Sequence, residues 1–248
     1  MIERWLEGRV AGQKRWTERL LSLQVAAPVG AYQAGQFVKL ALDVNGERIA
    51  RPYSFINPPG MQPLEFYYNI VAGGPLTPRL AHLEAGDRVF VSNNPSGFLV
   101  LSEVPAAQNL WMIATGTGVA PFLAILATEA PWQHYRNVVL VHAVRTADEL
   151  AYRETLAALE RRRTGQFVTV QFVSREACGY ALGGRVPAAI RDARLEQRAG
   201  VALSAAVSQV MLCGNPEMVK DVIAALAERG MKKHRRRSPG QITVENYW

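Results

Sequence analysis

"NLWMIATGTGVAPFLAILATEA", residues 109–130, decides the fold. Its first part, "NLWMIATG", is an apolar run of strand length. A glycine turn follows, and "GVAPFLAILATEA" then reads as a helix. The same unit recurs downstream. "NVVLVHAVR" reads as a strand and "ELAYRETLAALERR" as a helix; "FVTVQFVSRE" is a strand and "VPAAIRDARLE" a helical segment. "QVMLCGN" and "PEMVKDVIAALAERG" close the series. Strands alternating with helices predict βαβ units and a mostly parallel sheet. The strand–helix pairs share no sequence period, so they are not repeats.

Upstream the texture differs. "GQFVKLALDV", "LEFYYNIV", "DRVFVS" and "GFLVL" are short, β-rich and bounded by Gly, Pro or Asn. Closely spaced strands with turn residues between them predict an antiparallel β-barrel or sandwich. One short helix is expected in "GGPLTPRLAHLEAG", with Thr77 as N-cap, Pro78 at the first helical position and Gly86 after its end. The change of texture near "LSEVPAAQN" divides the chain into residues 1–101 and 102–248.

Composition bounds the function. The chain has 248 residues, 49% of them hydrophobic, and no run approaches the roughly 20 apolar residues of a membrane span. The N-terminal "MIERWLEGRV" shows no signal-peptide pattern. Two cysteines, Cys178 and Cys213, are too few for a four-cysteine cluster and suit a reduced, cytoplasmic protein. Net charge is +7, which favours an acidic partner. The densest basic run, "HRRR" at 234–237, has no nucleic-acid module around it and reads as a solvated loop.

Three loops follow strands where an open parallel sheet binds ligands. In "ATGTGVAP", Gly116 and Gly118 allow close backbone approach to a phosphate at a helix N-terminus, although glycines at such a turn are often turn chemistry alone. In "VSRE" and "GGRV", Arg175 and Arg185 could clamp a phosphate with Ser174, or be ordinary surface arginines. Glu176, an acid suited to a ribose diol, leaves the choice between NADP and NAD open. In "LCGNPEMV", Cys213 ends a strand, Gly214 turns and Pro216 opens a helix. In the upstream half, "RPYSFINPP" sets Arg51 and Tyr53 on one strand face, suited to a ligand carrying a phosphate and a flat ring.

"RPYS", "GGPLTPRL", "ATGTGVAP", "LCGNP" and the terminal "ENYW" occur in the order and spacing of the ferredoxin/flavodoxin–NADP⁺ reductases, and the chain resembles the bacterial type ending in Tyr-Trp. The resemblance spans nearly the whole chain. It implies an N-terminal antiparallel β-barrel that binds FAD, followed by an α/β parallel-sheet domain that binds NADP(H), with the C-terminal residues returning to the flavin.

Residue by residue, the resemblance implies that Arg51 neutralises the FAD pyrophosphate, with Pro52 beside it. Tyr53 lies along the isoalloxazine and Ser54 near its reactive nitrogen. Tyr67, Tyr68, Asn69, Ile70, Val71, Gly74, Leu76 and Thr77 line the flavin and pyrophosphate. On the other half, Thr117 meets the nucleotide, and Arg145, Ser174, Arg175 and Arg185 hold the phosphate end of NADP. Cys213 and Gly214 back the nicotinamide, and Glu245 assists proton handling. Tyr247 stacks on the isoalloxazine opposite Tyr53, and Trp248 on the adenine; alternatively both rings only seal the domain interface. Ser54, Cys213, Glu245 and Tyr247 form the implied catalytic set, with no metal. Asn57 departs from the family's serine, implying a local change of hydrogen bonding without loss of FAD. Before Gly97, "NPSG" also departs from the family pattern. The implied partners are ferredoxin and flavodoxin, with neither nucleic acid nor membrane, and the implied state is a monomer. An NADH-linked oxygenase reductase, a flavin reductase and a non-catalytic nucleotide-binding regulator are the competing functions.

Overall fold

The computed structural model describes residues 4–246. Contacts divide it into two compact units: residues up to Val100 with Ala120–Thr128, and Leu101–Val119 with the chain from Glu129 onward.

In the first unit, six strands form one antiparallel sheet. They are β1 (Trp5–Arg15), β2 (Leu20–Ala26), β3 (Phe37–Val44), β4 (Glu47–Ser54), β5 (Leu64–Asn69) and β6 (Arg88–Ser92), in the order β4-β3-β6-β1-β2-β5. The two outer strands meet just beyond β4, where Phe55 bridges Phe66 and the Ile56 N–H donates to the Glu65 carbonyl at 3.0 Å. The sheet therefore closes into a barrel, which removes its exposed edges. β3 and β4 are joined by Asn45-Gly46, both at positive φ (51° and 84°), the backbone a tight two-residue hairpin requires. Inside lie Leu23, Val25, Leu40, Phe55, Phe66, Val89 and Val91, all fully buried. Each such side chain contributes roughly 1.5–3 kcal/mol of burial.

The expected short helix is α1 (Thr77–Leu80), and it differs from the sequence reading. Leu76 is the N-cap and makes no side-chain cap bond. The Thr77 hydroxyl instead accepts the Val71 N–H at 2.8 Å, closing the loop ahead of the helix. The helix ends six residues before Gly86, which serves a later turn by donating to the Val10 carbonyl. "GFLVL" forms no strand: Gly97 has φ of 111°, and Leu101–Glu103 make a 3-10 turn. α2 (Ala120–Leu126), buried along its whole length, completes this unit.

The second unit is a parallel sheet of β7 (Asn109–Thr115), β8 (Asn137–Val144), β9 (Phe167–Val173), β10 (Leu182–Gly183), β11 (Ser208–Gly214) and β12 (Ile242–Asn246). Their order is β10-β9-β8-β7-β11-β12. The connecting helices are α3 (Ala130–His134), α4 (Arg153–Arg162), α5 (Val186–Arg191), α6 (Arg194–Ala199) and α7 (Pro216–Ala227). One sheet face packs Trp111, Ile113, Val139, Val141, Val210 and Leu212 against Ile190, Leu195, Val222 and Leu226 from those helices. The segment "VPAAIRDARLE" is two helices, because Ala193 turns left-handed (φ 61°) and the Asp192 carboxylate accepts the Arg194 N–H. Likewise α4 starts late, after Tyr152 at φ 60°.

This topology fixes where a ligand can bind. From β7 the chain steps outward through β8, β9 and β10, then returns to place β11 on the other flank of β7. The strand order thus reverses between β7 and β11, and their carboxyl ends form the crevice where open α/β sheets bind ligands.

Candidate functional site

In the barrel, β4 presents its predicted residues in two ways. Arg51 and Pro52 are exposed, whereas Tyr53 and Ser54 are buried. The Arg51 guanidinium donates to the Ala50 carbonyl at 2.7 Å and makes no ion pair among the described residues. The Tyr53 ring stands edge-on to Tyr68, with centroids 6.2 Å apart. Burial pushes its phenol well above the ordinary tyrosine value, with Arg51 offsetting part of the effect. Tyr67 and Tyr68 are buried on β5, and the Tyr68 hydroxyl donates to Gln13 at 3.0 Å. Asn69 is exposed at the end of that strand.

The loop after β5 is tied down from both sides. Ile70 donates its N–H to the Arg19 carbonyl at 2.7 Å, and Val71 is held by Thr77. Gly74 donates to the Val71 carbonyl at 2.9 Å, and a Cβ on Gly74 would come within 3.0 Å of that same oxygen. Leu76 anchors the loop in the core. Asn57 does what its amide allows, donating to the Pro63 carbonyl and accepting the Glu65 N–H, so it organises the connection from β4 to β5. An exposed, acid-free guanidinium, a tyrosine ring and a tight glycine loop form a donor set that suits a flavin with a pyrophosphate.

In the parallel sheet, the turns after β7 and β11 interlock. Gly116 has φ of 52° and opens a 3-10 turn, Gly116–Val119, which carries the half-buried Thr117. A Cβ on Gly118 would lie 2.6 Å from the Cys213 carbonyl oxygen. Gly214 has φ of 139°, and a Cβ there would overlap the Thr115 hydroxyl. That hydroxyl accepts the Asn215 N–H at 3.0 Å. Asn215 in turn caps α7, its side chain accepting from Glu217 and Met218. Neither Gly118 nor Gly214 tolerates a side chain, so the two turns pack backbone against backbone at the switch point.

Beside it, three arginines crowd the ends of β8, β9 and β10. Arg145, Ser174, Arg175 and Arg185 are all exposed. The Arg175 N–H donates to the Arg145 carbonyl at 2.9 Å, placing those two residues side by side. Among the described residues, none of the three guanidinium groups makes an ion pair. The nearby acids are engaged elsewhere: Glu176 accepts the Ala147 N–H at 2.5 Å, and Glu149 accepts the Arg145 N–H at 2.9 Å. Unpaired arginines beside occupied carboxylates suit a phosphate better than a ribose diol.

Cys213 is fully buried. The strand register sets it between Ala114 on β7 and Glu245 on β12. Glu245 is mostly buried, its Oε2 has no hydrogen-bond partner among the described residues, and burial raises its carboxyl to about 7. A carboxyl there is poised to exchange a proton near neutral pH. Tyr247 and Trp248 lie outside the described residues. Sequence reasoning passed over three residues that build the crevice: Thr115, Asn215 and His142. The Asn-Pro helix start and the lone imidazole in an aliphatic strand were their only signals.

The comparisons with known proteins agree with this geometry. Residues 16–99 match the oxidoreductase FAD-binding domain family, and residues 112–223 the oxidoreductase NAD-binding domain family. A closed antiparallel barrel ahead of a parallel α/β sheet, matched in that order, defines the class: oxidoreductases that join a flavin domain to a nicotinamide nucleotide domain. The flavodoxin/ferredoxin–NADP reductase of Escherichia coli is 46% identical over 245 residues, which cover 98% of this chain and 99% of that one. The ferredoxin–NADP reductase of Pseudomonas aeruginosa is 32% identical, covering 96% and 95% of the two chains. Among solved structures, a ferredoxin NADP⁺ reductase from Neisseria gonorrhoeae with bound FAD and NADP superposes with a TM-score of 0.94 at 32% identity, over 98% of this chain and 99% of that one. The chain belongs to the flavodoxin/ferredoxin–NADP reductase family.

Proposed function

We propose that this chain carries electrons between NADPH and a one-electron carrier protein, ferredoxin or flavodoxin, through bound FAD. The observation that carries the NADP half is the crevice at the β7/β11 switch point, where two turns interlock, beside three exposed arginines that make no ion pair among the described residues. Bound FAD supplies the chemistry no side chain has: it takes up a hydride and releases electrons one at a time.

The side chains position and charge-balance the reactants. Residues 1–101 form the flavin half, in which Arg51 neutralises the pyrophosphate. Pro52, Tyr53, Ser54, Tyr67, Tyr68 and Asn69 border the ring system. The loop through Ile70, Val71, Gly74, Leu76 and Thr77 offers its backbone to the phosphates. Residues 102–248 form the nucleotide half. Thr117 and Gly214 approach the nucleotide in the crevice at the switch point, and Arg145, Ser174, Arg175 and Arg185 grip the 2′-phosphate. Cys213 sets the depth of the nicotinamide. Glu245, with a carboxyl near 7, gives or takes the proton that accompanies electron transfer.

The net charge of +7 steers an acidic carrier to the protein. The chain works as a cytoplasmic monomer. Among the described residues, no helix is long and apolar enough to cross a membrane. The direct test compares steady-state reduction of a ferredoxin or flavodoxin with NADPH and with NADH. A strong preference for NADPH is expected, and equal rates would point to an NADH-linked reductase instead.

A further inference from the structure

β8 reads "NVVLVHAV", aliphatic but for its first residue and one imidazole. Val138, Val139, Leu140 and Val141 are fully buried, and His142 follows at 1% exposure. An imidazole buried so deeply costs stability unless its nitrogens are engaged. The register aligns His142 with Ala114 on β7, and Ala114 with Cys213 on β11. Gly116 lies two residues beyond Ala114, and its carbonyl oxygen is 3.1 Å from His142 Nε2.

The chemistry of that contact is fixed. A carbonyl oxygen can only accept, so Nε2 carries the proton and donates it. Burial lowers the imidazole to about 4, so the ring stays neutral near pH 7 and keeps this single N–H. The contact lands on the first residue of the glycine turn at the switch point. Gly118, two residues on, sits against the Cys213 backbone, and Thr115, just before, holds the Asn215 N–H. The turn is thus anchored to β11 at its Gly118 end and to β8, through His142, at its Gly116 end.

We propose that His142 is a positioning residue for nucleotide binding: its Nε2–H holds the Gly116 carbonyl and so sets the backbone path that carries Thr117 into the crevice. This rests on the reading of that crevice as the NADP site. An apolar residue at 142 would fill the space but leave the Gly116 carbonyl unpaired, and the turn would relax toward another partner. His142 touches no reactant, so its loss acts on nucleotide affinity ahead of the chemical step.

The test uses the FAD-loaded full chain and three variants. His142→Leu and His142→Met remove the donor, and His142→Gln keeps an N–H of similar reach. NADP⁺ affinity is measured by titration calorimetry. KM for NADPH and kcat are measured with a small neutral electron acceptor, alongside FAD content and melting temperature. The apolar variants are expected to raise the NADP⁺ Kd and NADPH KM about tenfold. Saturated kcat should stay within about twofold and FAD content should not change. His142→Gln should recover most of the affinity.

Wild-type affinity in a folded apolar variant would overturn the proposal. So would equal losses in the leucine, methionine and glutamine variants, which would make ring packing the cause. If neither apolar variant folds while His142→Gln binds normally, the N–H serves the fold and the proposal also fails. Absence of NADP⁺ binding by the wild type would instead refute the nucleotide site itself.

Discussion

Replacing Glu245 with glutamine should stabilise this protein in a pH-dependent way. Burial raises the carboxyl from 4.5 to about 7, and no hydrogen bond from the described residues reaches Oε2. The folded state therefore prefers the protonated form, and the sign of the effect follows. Below pH 4.5 the group is protonated whether the chain is folded or not, and nothing is lost. Between about 4.5 and 7 the unfolded chain releases its proton more readily, and folding stability falls as pH rises. Above 7 the loss is constant, about 3 kcal/mol for a displacement of this size. At pH 5 the same arithmetic gives less than about 1 kcal/mol.

Glutamine cannot ionise, and its own burial cost does not depend on pH. Melting curves of wild type and Glu245→Gln should therefore differ more at pH 8 than at pH 5. For a chain of this length, the added separation at pH 8 is about 5–10 °C. The assay is a thermal melt at several pH values with the same buffer anions and FAD saturating throughout. A melting-temperature difference that does not change from pH 5 to pH 8 would show that burial does not hold the Glu245 carboxyl protonated.

Arg175→Ala and Arg185→Ala should each raise the KM for NADPH about tenfold, the loss of one charge-assisted phosphate contact, and leave the KM for NADH nearly unchanged. Equal effects on both nucleotides, read in steady-state assays, would remove the 2′-phosphate assignment. Gly214→Ala forces a side chain into a φ of 139° and against the Thr115 hydroxyl, so it should cost on the order of 1–3 kcal/mol or more. A melting temperature lowered by several degrees, with weaker NADP⁺ binding, is the expected outcome. Raising salt should increase the KM for an acidic carrier severalfold while leaving FAD content unchanged, since exposed charges are screened and buried contacts are not. Carrier kinetics indifferent to salt would contradict electrostatic docking.

The alternation of strands and helices from Asn109 onward was legible chiefly because the central strands β7 and β11 are buried on both faces and read as nearly continuous apolar runs. "NLWMIATG" and "QVMLCGN" needed no tertiary information. Helix ends were harder. Thr77 has the side chain of an N-cap, but its hydroxyl is taken by Val71, six residues away, a competition no local pattern displays. "GFLVL" has strand composition, yet Gly97 at φ 111° breaks it away from the barrel. β12 was not foreseen as a strand, since five residues hold too little periodicity, and its pairing with β11 is decided at a distance. That pairing is what sets Glu245 beside Cys213.

The arginines were visible as residue types, but whether they were free or paired was not. Only the engagement of Glu176 and Glu149 by backbone amides separates a phosphate clamp from ordinary surface ion pairs. The lone imidazole of His142 stands out in an aliphatic strand, but its partner is a backbone carbonyl on the neighbouring strand's turn, which leaves no trace in side-chain patterns.

Electron transfer from NADPH through FAD is tested by mixing the purified protein with NADPH in the absence of oxygen and following its flavin absorbance. A yellow protein that bleaches rapidly with NADPH and far more slowly with NADH is expected. A colourless protein that cannot be loaded with FAD, or a flavin that NADPH leaves oxidised, would contradict it.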